Sequence, residues 1–168
     1  MSDLAINISK LPEGTHHRTF EVEAENVGLD SRFNDRVRVQ AVLDKTGRQA
    51  HLRATMQTNG HFTCDRCLED FEHPISAQYE IVYIIDEGQP DVVLSDEIQY
   101  LRPDTNILDL GDDVRQFLIL AVPQKLLCKE DCKGLCSKCG VNKNKVRCDC
   151  TTQEIDPRWE GLKKVSLN

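Results

Sequence analysis

Apolar and polar residues alternate with a period of two in Leu4-Ala5-Ile6-Asn7-Ile8, Thr19-Phe20-Glu21-Val22-Glu23 and Arg36-Val37-Arg38-Val39-Gln40-Ala41-Val42. This is the pattern of strands with one buried face. Asp44-Lys45-Thr46-Gly47 signals a turn into Gln49-Ala50-His51-Leu52-Arg53-Ala54-Thr55-Met56, so residues 36–56 are expected to form a hairpin. Asn59-Gly60 predicts a second tight turn. A further strand is then expected through His61-Phe62-Thr63 into Cys64, and another over Ala77-Gln78-Tyr79-Glu80-Ile81-Val82-Tyr83-Ile84. Residues 86–106 lack periodicity and read as a loop holding at most a short strand.

The period changes to a helical one at Ile107, Leu110, Val114, Phe117, Leu118 and Ala121. An amphipathic helix is therefore expected over 109–121, with Asp109 capping its start and Pro123 stopping it. Its apolar stripe is read as packing on the chain's own sheet. Asp156-Pro157 resembles a helix start, and Trp159, Leu162 and Val165 would face inward from a short helix there. The elements predict an α+β chain. Residues 1–124 form a mainly antiparallel β body with the one helix, 125–150 a small cysteine-rich zinc-knuckle module, and 151–168 a tail.

Composition narrows the class. With 168 residues, 39% hydrophobic and 29% charged, the chain suits one domain plus a small module and is not wholly disordered. It holds no apolar run of about 18 residues, and Met1-Ser2-Asp3-Leu4-Ala5 lacks a signal peptide's basic flank, so a cytoplasmic protein without membrane contact is expected. The net charge of -7 is unevenly spread. Residues 1–124 carry 11 Lys+Arg against 22 Asp+Glu, a balance of -11, whereas 125–150 carry 7 against 3, a balance of +4. A polyanion would meet the basic cysteine segment, and a basic protein the acidic body.

The eight cysteines carry the clearest chemistry. In a reducing compartment such clusters bind metal more often than they form disulfides. Cys136-Ser137-Lys138-Cys139-Gly140 has a knuckle's form, and Cys148-Asp149-Cys150 completes a C-x2-C-x8-C-x-C set suited to one tetrahedral zinc ion. The segment between has few apolar residues, so metal would replace a core. Cys64-Asp65-Arg66-Cys67 and the pair Cys128 and Cys132 remain, and a second four-thiolate site would use them all. Other partitions stay open at this level, Cys132 in place of Cys136 among them.

Cys64-x-x-Cys67 also has redox spacing, which gives an alternative reading as a thiol-redox or metal-sensing protein. A redox pair belongs at a helix start in a βαβ unit, and this one lies between strands. His16, His17, His51, His61 and His73 show no ligand spacing, though His61 stands three residues before Cys64. No phosphate loop or catalytic triad is legible, so no catalytic residue and no small-molecule substrate is expected. Lys133, Lys138, Lys143, Lys145 and Arg147 crowd the cysteine segment, as do Lys125 and Lys129. They suit phosphate contact or simple solubility equally well.

Cys64-Asp65-Arg66-Cys67-Leu68, the helix leading to Ala121-Val122-Pro123, and Leu127-Cys128-Lys129-Glu130-Asp131-Cys132-Lys133-Gly134-Leu135-Cys136-x-x-Cys139-Gly140 resemble the YceD-like family. Cys148-Asp149-Cys150 and Asp156-Pro157-Arg158-Trp159 resemble its cysteine-rich branch. The resemblance spans roughly 60–165; residues 1–59 agree only in being strand-like. It implies a non-enzymatic part in large-subunit ribosomal RNA accumulation, with precursor ribosomal RNA or a basic ribosomal protein as partner. Family branches without the last four cysteines keep the first pair with His or Cys near positions 128 and 132, which implies the grouping of Cys64, Cys67, Cys128 and Cys132.

Overall fold

Two strands of unusual length set the frame. In the computed structural model, which describes residues 3–85, 98–150 and Arg158, β4 (Gln49–Thr63) and β5 (Asp70–Ile85) pair antiparallel from Gln49↔Ile84 to Thr63↔Asp70. Every second residue of β4 is buried, from Ala50 through Leu52, Ala54 and Met56 to Phe62. The period of two is thus realised as one wet and one dry face. β3 (Arg36–Lys45) lies beside β4, β2 (Gly14–Glu23) beside β3, and β6 (Ile98–Leu101) parallel to β5, giving the order β2-β3-β4-β5-β6.

The dry face is covered by a pair, β1 (Ala5–Asn7) with β7 (Ile107–Asp109) in the register Ile6↔Leu108, and by the helix α1 (Gly111–Leu120). Val114 and Leu118 of α1 are fully buried, each such burial contributing about 1.5–3 kcal/mol. Phe117 stacks on Tyr79 at a centroid distance of 5.0 Å. The expected packing of the helix on its own sheet is what occurs. The helix is shorter than the expected 109–121: it starts at Gly111 with Leu110 at its N-cap, and Ile107 and Asp109 belong to β7, where Ile107 is exposed rather than part of the helix stripe. Asp109 still accepts the Gly111 N–H at Oδ1, 2.9 Å away, and Pro123, lacking an N–H, follows the last turn. Among the described residues no helix is long and apolar enough to cross a membrane.

The turn expected at Asn59-Gly60 does not form, and β4 runs straight through it. A Cβ on Gly60 would lie 2.5 Å from the Phe62 ring. The glycine makes room for a ring that stands edge-on to Phe33, centroids 6.1 Å apart, so here it marks close packing within a strand. β5 likewise begins at Asp70, seven residues earlier than the expected Ala77. Of the expected loop 86–106, residues 98–101 form β6 and residues 107–109 beyond it β7, while 86–97 lie outside the described residues. The short helix expected around Asp156–Val165 also lies outside them, Arg158 excepted.

Candidate metal centres

The first group sits at the tip of the β4–β5 hairpin. Residues 64–69 close it: the Cys64 N–H donates to Glu69 O and the Leu68 N–H to Cys64 O, both at 2.9 Å. Against this tip lies the segment after the helix. Asp65 and Leu126 hold each other twice, the Asp65 N–H donating to Leu126 O at 2.8 Å and the Leu126 N–H to Asp65 Oδ2 at 2.7 Å. Arg66 Nη1 donates to Cys132 O at 2.8 Å. These clamps bring Cys128 and Cys132 over Cys64 and Cys67. The Sγ atoms of Cys64 and Cys132 are 3.8 Å apart and those of Cys67 and Cys128 3.6 Å, with all four within 4.8 Å of one another. Cys64, Cys67 and Cys132 are buried, and Cys128 is partly exposed.

The second group is built within one short loop. Leu135 and Asn142 form an isolated antiparallel bridge, the Cys136 N–H donates to Val141 O at 2.8 Å, and the Gly140 N–H donates to Cys136 O at 2.9 Å. This reversal places Cys136 and Cys139 beside Cys148 and Cys150. Cys148 Sγ lies 3.4 Å from Cys136 Sγ and 3.4 Å from Cys139 Sγ, again within a set of four spanning no more than 4.8 Å. Cys139 and Cys150 are exposed.

The sulfurs in both groups are far beyond bonding distance for a disulfide, about 2.05 Å. Four thiolates at about 2.3 Å from a central ion stand about 3.8 Å apart in a tetrahedron, and the closest sulfur pairs here, at 3.4–3.8 Å within sets spanning no more than 4.8 Å, approach that spacing. Electrostatics favour a cation at the centre. Burial works against a charged Cys64, yet the N–H groups of Cys128, Cys67 and Arg66 outweigh it and bring that thiol down to about 6. The N–H groups of Cys139 and Lys138, aided by neighbouring thiols, bring Cys136 down to about 6 as well. Cys128 is pushed up to about 12 by burial and by the other thiols, and Cys150 to about 12 by Cys148 and Cys139. Gathered sulfurs cannot all ionise unless a positive ion offsets their repulsion. An all-thiolate set suits a soft ion, and neither group holds the open carboxylate or imidazole position of a hydrolytic metal site.

The chain therefore gathers the eight cysteines in the two groups that the sequence suggested, with Cys132 in the first and Cys136 in the second. His61 lies apart from both, 3.4 Å from Glu72 across the strand pair. Lys133, Lys138, Lys143, Lys145 and Arg147 are all exposed. Lys145 differs from the rest because it forms an ion pair with Glu69 of the hairpin tip, and the Lys145 ammonium holds that carboxyl below the usual range. Three further residues were not singled out by sequence: Asp65, Arg66 and Asn144. Asn144 donates from Nδ2 to Cys132 Sγ at 3.3 Å. Asp65 and Arg66 stand inside a C-x2-C and so were adjacent to a signal; Asn144 carried none.

Comparison with known proteins gives a consistent direction. A family model described as large ribosomal RNA subunit accumulation protein YceD matches residues 52–166. A 63-residue stretch is 37% identical to large ribosomal RNA subunit accumulation protein YCED homolog 1, chloroplastic, of Arabidopsis thaliana, covering 38% of this chain and 20% of that protein. A 100-residue stretch is 29% identical to uncharacterized proteins of Mycobacterium tuberculosis and Mycobacterium bovis, covering 59% of this chain and 47% of each. The chain thus spans a fifth to about half of the curated relatives it matches. No solved structure matches.

Proposed function

This chain belongs to the YceD family of large ribosomal RNA subunit accumulation proteins, and from that membership we propose that it is a zinc-stabilised, non-enzymatic factor supporting large-subunit ribosomal RNA accumulation or ribosome assembly. One observation carries the reading: the four sulfurs of Cys64, Cys67, Cys128 and Cys132 staple the basic segment to the tip of the longest hairpin. Zinc is the ion that closed four-thiolate sites without redox work most commonly take. On this scaffold Lys133, Lys138, Lys143 and Arg147 stand exposed, and a metal-held backbone beneath them would lower the ordering cost of presenting them to phosphates. Precursor ribosomal RNA is the partner these charges favour. A basic ribosomal protein would use the acidic body instead. The protein would act in the cytoplasm, with no membrane and no small-molecule substrate.

The test pairs metal analysis with recovery of bound RNA and ribosomal proteins from cells. Zinc in the purified protein, with large-subunit precursor RNA enriched over other RNA, is the expected result; enrichment of neither RNA nor ribosomal protein would remove the reading.

A thiol-redox alternative draws on the lowered Cys64 thiol. Reaction also needs access, and Cys64 and Cys67 are buried. Slow labelling of both by a thiol reagent at neutral pH is expected for the metal-bound scaffold, and rapid labelling for the redox protein.

A further inference from the structure

We infer that the second cysteine group serves the first as its positioning device, acting through Asn144, so that filling the C-terminal site tightens metal binding at the hairpin tip. The inference rests on the metal reading above. Asn144 belongs to the loop between Cys139 and Cys148, yet its side chain reaches out of that loop to the other site. Nδ2 donates to Cys132 Sγ at 3.3 Å and also to Asn142 Oδ1 at 2.9 Å, while Oδ1 accepts the Lys133 N–H at 2.9 Å. The Asn144 N–H donates to Asn142 Oδ1 at 2.9 Å, so backbone and side chain are fixed together. A donor aimed at a ligating sulfur withdraws part of its charge and holds it in one orientation, the usual work of groups just outside a metal's ligands.

The loop that carries Asn144 contains no core of its own. Its shape comes from the Leu135–Asn142 bridge, from the Lys143 N–H donating to Gly134 O at 2.9 Å, and from the four sulfurs of the second group. The loop also presses on the tip directly. Leu135 N–H donates to Arg66 O at 3.0 Å, and Lys145 pairs with Glu69. An ion holding Cys136, Cys139, Cys148 and Cys150 therefore fixes the donor to Cys132 and two braces on the Cys64–Cys67 turn. Coupling of this kind is reciprocal, so an ion at the tip tightens the C-terminal site equally.

The test uses the full chain, stripped of metal and titrated with cobalt(II), whose sulfur-to-cobalt charge-transfer absorption reports the thiolates. The first-site signal is defined by difference from Cys64→Ser/Cys67→Ser. Two variants are decisive. Cys148→Ser/Cys150→Ser removes the second site, and Asn144→Asp keeps the shape and the acceptor for Lys133 while losing the N–H donated to sulfur. Each is expected to weaken first-site affinity by about 10–100-fold. Their combination should weaken it no further than the stronger of the two. Asn144→Asp should also shift the first-site charge-transfer band, a change that loosened packing alone would not produce. First-site affinity within twofold of wild type in Cys148→Ser/Cys150→Ser, or an unchanged band and affinity in Asn144→Asp, would overturn the inference while leaving the metal reading intact. Absence of any cobalt signal in the wild-type chain would overturn both.

Discussion

Leu68 and Gly140 occupy the same position in two copies of one turn. Each donates its N–H to the carbonyl of the first cysteine of its C-x2-C pair at 2.9 Å, and each has a left-handed backbone, φ 57° at Leu68 and 74° at Gly140. A leucine accepts this conformation at a cost of about 1–2 kcal/mol, and a glycine at almost none. The space around a new side chain then separates two other substitutions. Nothing lies within 4 Å of a Cβ added at Gly140, whereas one added at Gly134, φ 69°, would lie 2.9 Å from Arg66 O. Gly140→Ala is expected to cost about 1 kcal/mol, from conformation alone. Gly134→Ala should cost a further 1–3 kcal/mol or so, because backbone must move. Denaturant unfolding at saturating metal measures both, and equal costs would mean that the Gly134–Arg66 approach is not a tight one.

Two zinc ions per chain are expected in protein purified without chelator, one for each group of four cysteines. Cys139→Ser should lower the content to about one. Amide exchange should then rise across residues 133–150 and stay slow in β3, β4 and β5, because structural zinc contributes on the order of 10 kcal/mol to a loop with almost no apolar core. The body keeps its own core, in which Leu43, Leu52, Met56, Leu110 and Leu118 are fully buried. Protection of 133–150 that survives chelation would show that metal is not what folds that loop.

Much of this was legible from spacing alone. Alternation gave most of β3 and β4 and about half of β2 and of β5, because a sheet with one wet face imposes a strict period on its residues. The helix showed for the matching reason: Val114 and Leu118 must share a side. The eight cysteines could be divided by economy, two groups of four leaving none over. What stayed hidden depends on neighbours remote in sequence. Gly60 read as a turn because its reason, the Phe62 ring above it, is a packing fact. β6 pairs with β5 in parallel, through a connection whose periodicity is weak. Asn144 looked like any polar loop residue, since a hydrogen bond to a sulfur twelve positions away leaves no pattern. Lys145 was grouped with free lysines because its partner Glu69 is distant in the chain.

Asp113 gives a prediction in pH. Burial, then the Asp112 and Asp109 carboxylates, hold its carboxyl above the ordinary 3.8. The folded state therefore binds this proton more tightly than the unfolded one. Stability falls as pH rises through the folded value and the penalty is absent below about 3.8. Asp113→Asn should accordingly be more stable than the wild type at pH 7, by an advantage that shrinks as pH falls through the raised folded value and is gone below about 3.8. The residue lies in the first turn of α1, where the helix dipole favours a negative charge, so the net gain should stay below about 1 kcal/mol. A wild type more stable than the variant at pH 7 would mean that the dipole outweighs burial.

The basic residues of the cysteine segment divide into two kinds, and RNA binding should tell them apart. Lys133, Lys138, Lys143 and Arg147 are exposed and make no ion pair among the described residues, whereas Lys145 is joined to Glu69. Each lysine that neutralises a phosphate adds about 0.7–0.9 to the slope of log affinity against log salt. Reversing Lys133, Lys138 and Lys143 to Glu should thus weaken binding to precursor RNA and flatten that slope by about 2–3, with zinc content unchanged. Lys145→Gln should flatten it little and should instead loosen the hairpin tip, read as faster amide exchange at residues 64–69. If a basic ribosomal protein is the partner, reversing acids on the body, Glu72 and Glu80 for example, should weaken binding more than reversing the lysines. Should neither set of variants change binding or large-subunit RNA levels in cells, the lysines serve solubility and the contact surface lies elsewhere.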